Sequence, residues 1–166
     1  MSTLTTLIIS DLHTEAQRDN GKTCIEDLDD DADVVIVAGD LGTKHTITTA
    51  LQRLCDKYPD VVYVHGNHEL YRNPSVHFQY QIHAVKRNNL HWLNNSMTTI
   101  RGVPFVGTTL WFPETHDWLS SAVYMTDFYT IPAFSRWVFK ENARAVQYLA
   151  DTVTPESVVV THHLPS

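Results

Sequence analysis

The chain lacks the features that mark membrane, secreted or DNA-binding proteins. No apolar run approaches the roughly 20 residues that a bilayer-crossing helix needs. The opening Met1-Ser2-Thr3-Leu4 has no basic stretch ahead of an apolar one, which argues against a secretory leader. Cysteine is scarce: Cys24 and Cys55 stand in segments of helical character, without metal spacing. They read as small apolar side chains in a reducing, cytoplasmic compartment. Basic residues are the minority, 12 against 19 acidic ones, and a formal charge of −7 offers no stripe for duplex nucleic acid. Phosphorylated substrates are not excluded, because bound dications reverse the sign locally. Repeats, low-complexity tracts and Pro/Gly/Ser linkers are also missing, so residues 1–166 are expected to form a single domain.

Four short apolar runs organise what is there: Leu7-Ile8-Ile9, Val34 to Ala38, Val61 to Val64, and Val158-Val159-Val160. Each is continuous rather than alternating, as in strands covered on both faces. Ile47, Leu51, Leu54 and Tyr58 recur at helical spacing up to Pro59, and a weaker helix runs from Ser75 to about Arg87. Strand–helix–strand alternation implies parallel pairing. Met97 to Ile100 and Val103 to Leu110, joined by Arg101-Gly102, read as a hairpin in which Pro104 suggests an edge or a bulge. A last amphipathic helix is expected from about Arg136 to Asp151, capped by Ser135, burying Trp137, Val138, Ala145, Val146 and Leu149. The acidic run from Asp27 to Asp33 lacks the central glycine and closing Glu of a calcium loop and reads as a solvated helix end.

Each apolar run ends in ligand-type side chains. After the first come Asp11-Leu12-His13, after the second Gly39-Asp40, after the third Gly66-Asn67-His68-Glu69, and after the fourth His162-His163. In open α/β sheets ligands bind beyond the carboxyl ends of the strands. Singly, Asp40 would serve as a helix N-cap and Asn67 as another; together the set points to metal. Carboxylate and imidazole donors without thiolate suit Mn, Fe or Zn. Converging carboxylates without basic partners repel one another unless cations hold them. A bridging carboxylate suits two ions about 4 Å apart, the spacing of two-metal phosphoryl chemistry.

These motifs, in this order, resemble those of the calcineurin-like metallophosphoesterases, and the likeness runs from the first strand to the last residue. It implies an α/β, four-layer αββα sandwich with mixed sheets. Asp11 and His13 would bind one metal, Asn67 and His162 a second, with Asp40 bridging. His68 would face the phosphate and protonate the leaving oxygen, Glu69 would orient the His68 ring, and a metal-bridging hydroxide would attack. Asn67, His68 and His163 would contact substrate, a phosphomonoester or phosphodiester of a small molecule or nucleotide.

The likeness also has a gap. The family's Gly-His-x-His motif, one histidine per metal, does not occur, so the C-terminal portion of the fold is expected to be missing. A shortened chain is the favoured explanation, ahead of natural truncation or completion of the site by another chain. A rival of another class is a non-catalytic scaffold on the same fold. Only one of His162 and His163 can face the site, because side chains alternate along a strand. His45 and His116 are candidates for the cleft wall; His65, His77, His83 and His91 are expected in core or surface. The aromatic segment 111–139 is expected to be core and cap packing rather than a base-stacking platform.

Overall fold

The computed structural model describes residues 3–165; Met1, Ser2 and Ser166, which entered the reading of the two ends, lie outside them. Strands β1 (Thr6–Ile9), β2 (Val34–Ala38), β3 (Asp60–Val64) and β4 (Leu90–Trp92) form one parallel sheet in that spatial order. Helices α1 (Lys22–Glu26), α2 (Ile47–Lys57) and α3 (Ser75–Val85) run between them. Strands laid down in sequence order send successive right-handed crossovers to one face. The opposite face is therefore left for a second layer.

A second sheet supplies that layer: β5 (Ser96–Ile100) and β6 (Val103–Thr108) pair as an antiparallel hairpin, and β7 (Val158–Thr161) pairs parallel to β6. The hairpin turn places Arg101 at φ 49° and Gly102 at φ 85°, the left-handed pair that a primed turn requires. The short helices α4 (Trp118–Ala122) and α5 (Asp127–Thr130) precede α6 (Val138–Thr152), which packs on β6. The result is the four-layer α/β sandwich with one parallel and one mixed sheet.

Side-chain alternation along β2 and β3 divides the core. Val35, Val37, Val61 and Tyr63 meet Ile47, Leu51, Leu54, Phe78 and Ile82 of the helical layer. Val34, Ile36, Val62 and Val64 meet Leu93, Ile100, Phe105 and Val160 of the second sheet. Two-sided cover is confined to the central strands β2, β3 and β6, the last with both Phe105 and Val106 buried. The edge strands β1 and β7 leave Ile8 67% and Val159 43% exposed.

Three local expectations are corrected. Ser135 does not cap the last helix; it sits in a 3-10 turn (Phe134–Arg136), and the helix starts at Val138 after Trp137. The buried face is Val138, Asn142 and Ala145, whereas Val146 is exposed. At about 100° per residue, Val146 falls roughly 80° off the line through Val138 and Ala145. Pro104 lies in the central strand of its sheet, but pairing with β7 begins one residue on, at Phe105, so its missing N–H costs nothing there.

His65, directly after β3, is buried with its ring against Phe78 and Trp92, and Trp92 Nε1 donates to its Nδ1 at 3.4 Å. Burial first, then His162 and His163, push its pKa from 6.5 down to about 3. The unfolded chain takes up this proton below 6.5 and the folded chain only near 3. Stability is thus present above that window and lost as pH falls through it, by about 1.4 kcal/mol per pH unit. His65→Asn keeps an acceptor for Trp92 and cannot titrate. Denaturant unfolding between the two pH limits is expected to show a wild-type slope steeper than the variant's by about one proton. Equal slopes would mean that the folded protein already carries the proton.

Candidate metal centre

The chain stays zipped beyond the ends of β1 and β2, Asp11 N–H donating to Gly39 O and His13 N–H to Asp40 O, each at 3.1 Å. Asp11, His13 and Asp40 have φ of 55°, 45° and 52°. This left-handed backbone costs non-glycine residues on the order of 1–3 kcal/mol each and persists only where the surroundings enforce it. Here it turns three side chains to one place. Donor atoms of Asp11, His13 and Asp40 lie within 4.8 Å of one another. His13 Nε2 is 3.9 Å from Asp11 Oδ1 and 4.0 Å from Asp40 Oδ2, too far for hydrogen bonds.

A second set forms on the other side of Asp40. His162 Nε2 lies 3.0 Å from Asn67 Oδ1 and 3.5 Å from Asp40 Oδ1. The buried Asp40 carboxylate therefore turns Oδ2 to one set and Oδ1 to the other, and Oδ1 also accepts the His68 N–H at 2.9 Å. Glycine is required beside both sets. A β-carbon on Gly66 would overlap the Asp40 carboxylate and come within 2.8 Å of His162 Nε2, and one on Gly39 would strike the His162 ring.

His68 projects over the same spot, its ring stacked on Tyr71 and edge-on to His13, with centroids 4.3 Å apart in both cases. Its Nε2 is 3.9 Å from Asp40 Oδ2. Its Nδ1 meets Glu15, not Glu69: Glu15 Oε1 is 3.3 Å from His68 Nδ1 and 3.4 Å from His13 Nδ1. One carboxylate thus stands behind both rings and aims both Nε2 atoms at Asp40. Glu69 has another task. It is fully buried and accepts the backbone N–H groups of Leu41 and Gly66 at 2.8 and 2.9 Å. Burial first, then Asp40, push its pKa up to about 8. Consecutive residues of a 3-10 turn point about 120° apart, which is why Glu69 turns away from its neighbour's ring.

Of the two terminal histidines, His162 joins the donor set, while His163 packs on Trp111 and Phe112, its N–H bonded to Thr109 O. His163 lines an apolar cavity of about 780 Å³ beside Trp111 and Leu164. Burial first, then His162, push its pKa down to about 4. Aromatic residues of 111–139 interlock edge-to-face around Phe134, as packing rather than as an open platform. His116 is exposed, and His45 lines a small pocket beside Tyr71.

The family model described as calcineurin-like phosphoesterase matches residues 4–166. The chain belongs to that family. Among solved structures the chain is similar to the phosphopantetheinyl hydrolase of Mycobacterium tuberculosis, with a TM-score of 0.71 and 23% identity over 97% of this chain and 68% of that one. At that identity the likeness speaks for the fold. No curated protein matches. Among the described residues, no helix is long and apolar enough to cross a membrane.

The family uses divalent metals, and the second donor set fits one for a reason internal to this chain. His162 Nδ1 lies 2.8 Å from Ala38 O, which can only accept, so Nδ1 carries the proton. In the neutral ring Nε2 is then a lone pair, aimed at two oxygens. Asn67 cannot relieve this by flipping, because its Nδ2 donates to Asp127 Oδ1 at 2.9 Å and to Tyr71 Oη at 3.1 Å. Nε2 thus faces two further acceptors, a set that would hold a divalent cation. Tyr71 also donates to Asp127 Oδ1 at 2.7 Å, closing the clamp. No motif signals Asp127, which reaches Asn67 from 60 residues away, and Glu15 is equally silent.

Asp127→Ala frees the Asn67 amide to rotate. Calorimetric titration with Mn(II) is expected to show affinity lowered about 10–100-fold, the usual effect of removing an outer partner of a ligand. Unchanged Mn(II) binding in a variant that still folds would dismiss the clamp.

Proposed function

We propose that the chain is a metal-dependent hydrolase of phosphomonoesters or phosphodiesters, with Asp11, His13 and Asp40 holding one divalent cation and Asp40, Asn67 and His162 another. The observation that carries this reading is the division of the Asp40 carboxylate, Oδ2 toward His13 and Oδ1 toward His162. Oxygen and imidazole donors suit Mn, Fe or Zn. Bound there, divalent cations supply Lewis acidity toward water and toward the phosphoryl oxygens.

The chain's own groups do the rest. His68 donates its Nε2 proton to the departing ester oxygen, and the Glu15 carboxylate beside Nδ1 orients the ring for it. Tyr71 and His13 fix the plane of the His68 ring. Asn67 offers its amide oxygen to the cation, its Nδ2 being held by Asp127 and Tyr71. Glu69 keeps the loops that carry Asp40 and Asn67 at fixed separation through its two backbone hydrogen bonds. The substrate is a phosphorylated small molecule or nucleotide.

Turnover of bis-p-nitrophenyl phosphate and p-nitrophenyl phosphate is expected with added Mn(II) or Fe(II) and is abolished by chelation. His68→Ala is expected to lower kcat by about 10²–10⁴-fold while the bound-metal content measured by emission spectroscopy stays near the wild-type value. Metal loss in that variant would make His68 a ligand instead. No turnover at saturating Mn(II) or Fe(II) would leave the non-catalytic scaffold as the better reading.

A further inference from the structure

A pocket of about 430 Å³ opens next to the donor cluster and has Tyr71 in its wall. Its lining gathers Lys44, Arg72 and His45 with the hydroxyls of Thr43, Thr126 and Thr130. The chain carries a formal charge of −7 with 12 Lys and Arg, yet two of those cations converge here. Neither Lys44 nor Arg72 has a carboxylate within ion-pair distance among the described residues; the Lys44 ammonium instead rests on the Arg72 carbonyl at 3.4 Å. The adjacent acid, Asp127, is buried and turned away, its Oδ1 taken by Tyr71 and Asn67.

Both cations sit on pinned backbone. Arg72 adopts φ 50° and donates its N–H to Thr130 O at 2.9 Å, and the Lys44 carbonyl accepts Gln81 Nε2 at 2.6 Å. Two cationic side chains lining one pocket without a carboxylate partner make it electropositive, and a bound anion would neutralise it. A guanidinium fork, an ammonium and several hydroxyls supply the many donors that a tetrahedral oxyanion takes. One wall is common to pocket and centre: Tyr71 lines the former, stacks on His68 and bonds Asn67.

We propose that this pocket is a subsite for a second phosphate-type group, so that the preferred substrate is a phosphoester whose non-reacting part carries another phosphate, reaching past Tyr71 to Lys44 and Arg72. This deepens, and rests on, the reading of the adjacent cluster as a phosphoesterase centre. The spacing of the two phosphates is set by the tyrosine ring between them.

The test compares α,ω-alkanediol bisphosphates of increasing length with the matching alkyl monophosphates, following phosphate release by the wild type and by the Lys44→Ala/Arg72→Ala double variant. The wild type is expected to prefer one bisphosphate length in kcat/KM, through a lower KM. The double variant is expected to lose that preference by about tenfold or more, since each charge-assisted contact is worth on the order of a factor of ten. Both side chains are exposed, so folding is not at risk, and Lys44→Arg/Arg72→Lys is expected to restore part of the preference. A bisphosphate-to-monophosphate ratio that is equal in wild type and double variant overturns the subsite and leaves the phosphoesterase reading standing. Should no ester turn over, that reading falls instead. Calorimetric binding of the same bisphosphate in chelator then decides the subsite alone: heat lost in the double variant supports it, and heat absent from the wild type or unchanged in the double variant overturns it.

Discussion

Everything at the sheet edge depends on one buried carboxylate that has more acceptor neighbours than donors. Asp40 receives a single backbone N–H, from His68, while His13 and His162 turn ring nitrogens toward it and Asn67 turns its amide oxygen to His162 Nε2. A buried anion without a counter-ion is among the costliest arrangements a fold can hold. Positive charge is the missing complement, and neither Lys nor Arg provides it among the described residues near Asp40. The glycines at 39 and 66, the left-handed backbone at residues 11, 13 and 40, and the buried Glu69 all keep that carboxylate where it is.

The topology explains why so few residues suffice. Strands β1, β2 and β3 are adjacent and parallel, so their carboxyl ends, with Asp11, Asp40 and Asn67 just beyond, fall side by side. The second sheet then brings His162 over the top from the end of β7, whose neighbour β6 contacts β3 across the sandwich. Residues more than a hundred positions apart meet without any long loop having to be ordered for the purpose. The helical layer takes no part in the chemistry.

Most of this was legible because apolar runs and the polar residues ending them are local signals. Asp11, His13, Asp40, Asn67 and His162 each follow such a run and converge as the pattern implies. Strand β4 was not legible: Leu90-His91-Trp92 is three residues long and its middle residue pairs with Asp60 through the imidazole. Glu69 misled by adjacency, since a neighbour in sequence need not be a neighbour around a tight helical turn. Glu15 and Asp127 escaped because their work depends on tertiary register, which no spacing within a segment encodes. Val146 shows the same limit on a smaller scale, apolar and correctly spaced but one step off the buried line.

Asp127 belongs to the aromatic segment, yet its carboxylate holds the amide of Asn67. On the proposed metal-binding reading, cation occupancy and the docking of that segment are coupled equilibria. An ion that selects the oriented amide also selects the docked segment, and loosening the segment must weaken the ion by the same factor. Trp118, stacked on Phe128 next to Asp127, lies in the same segment and would sense that coupling through its stacking.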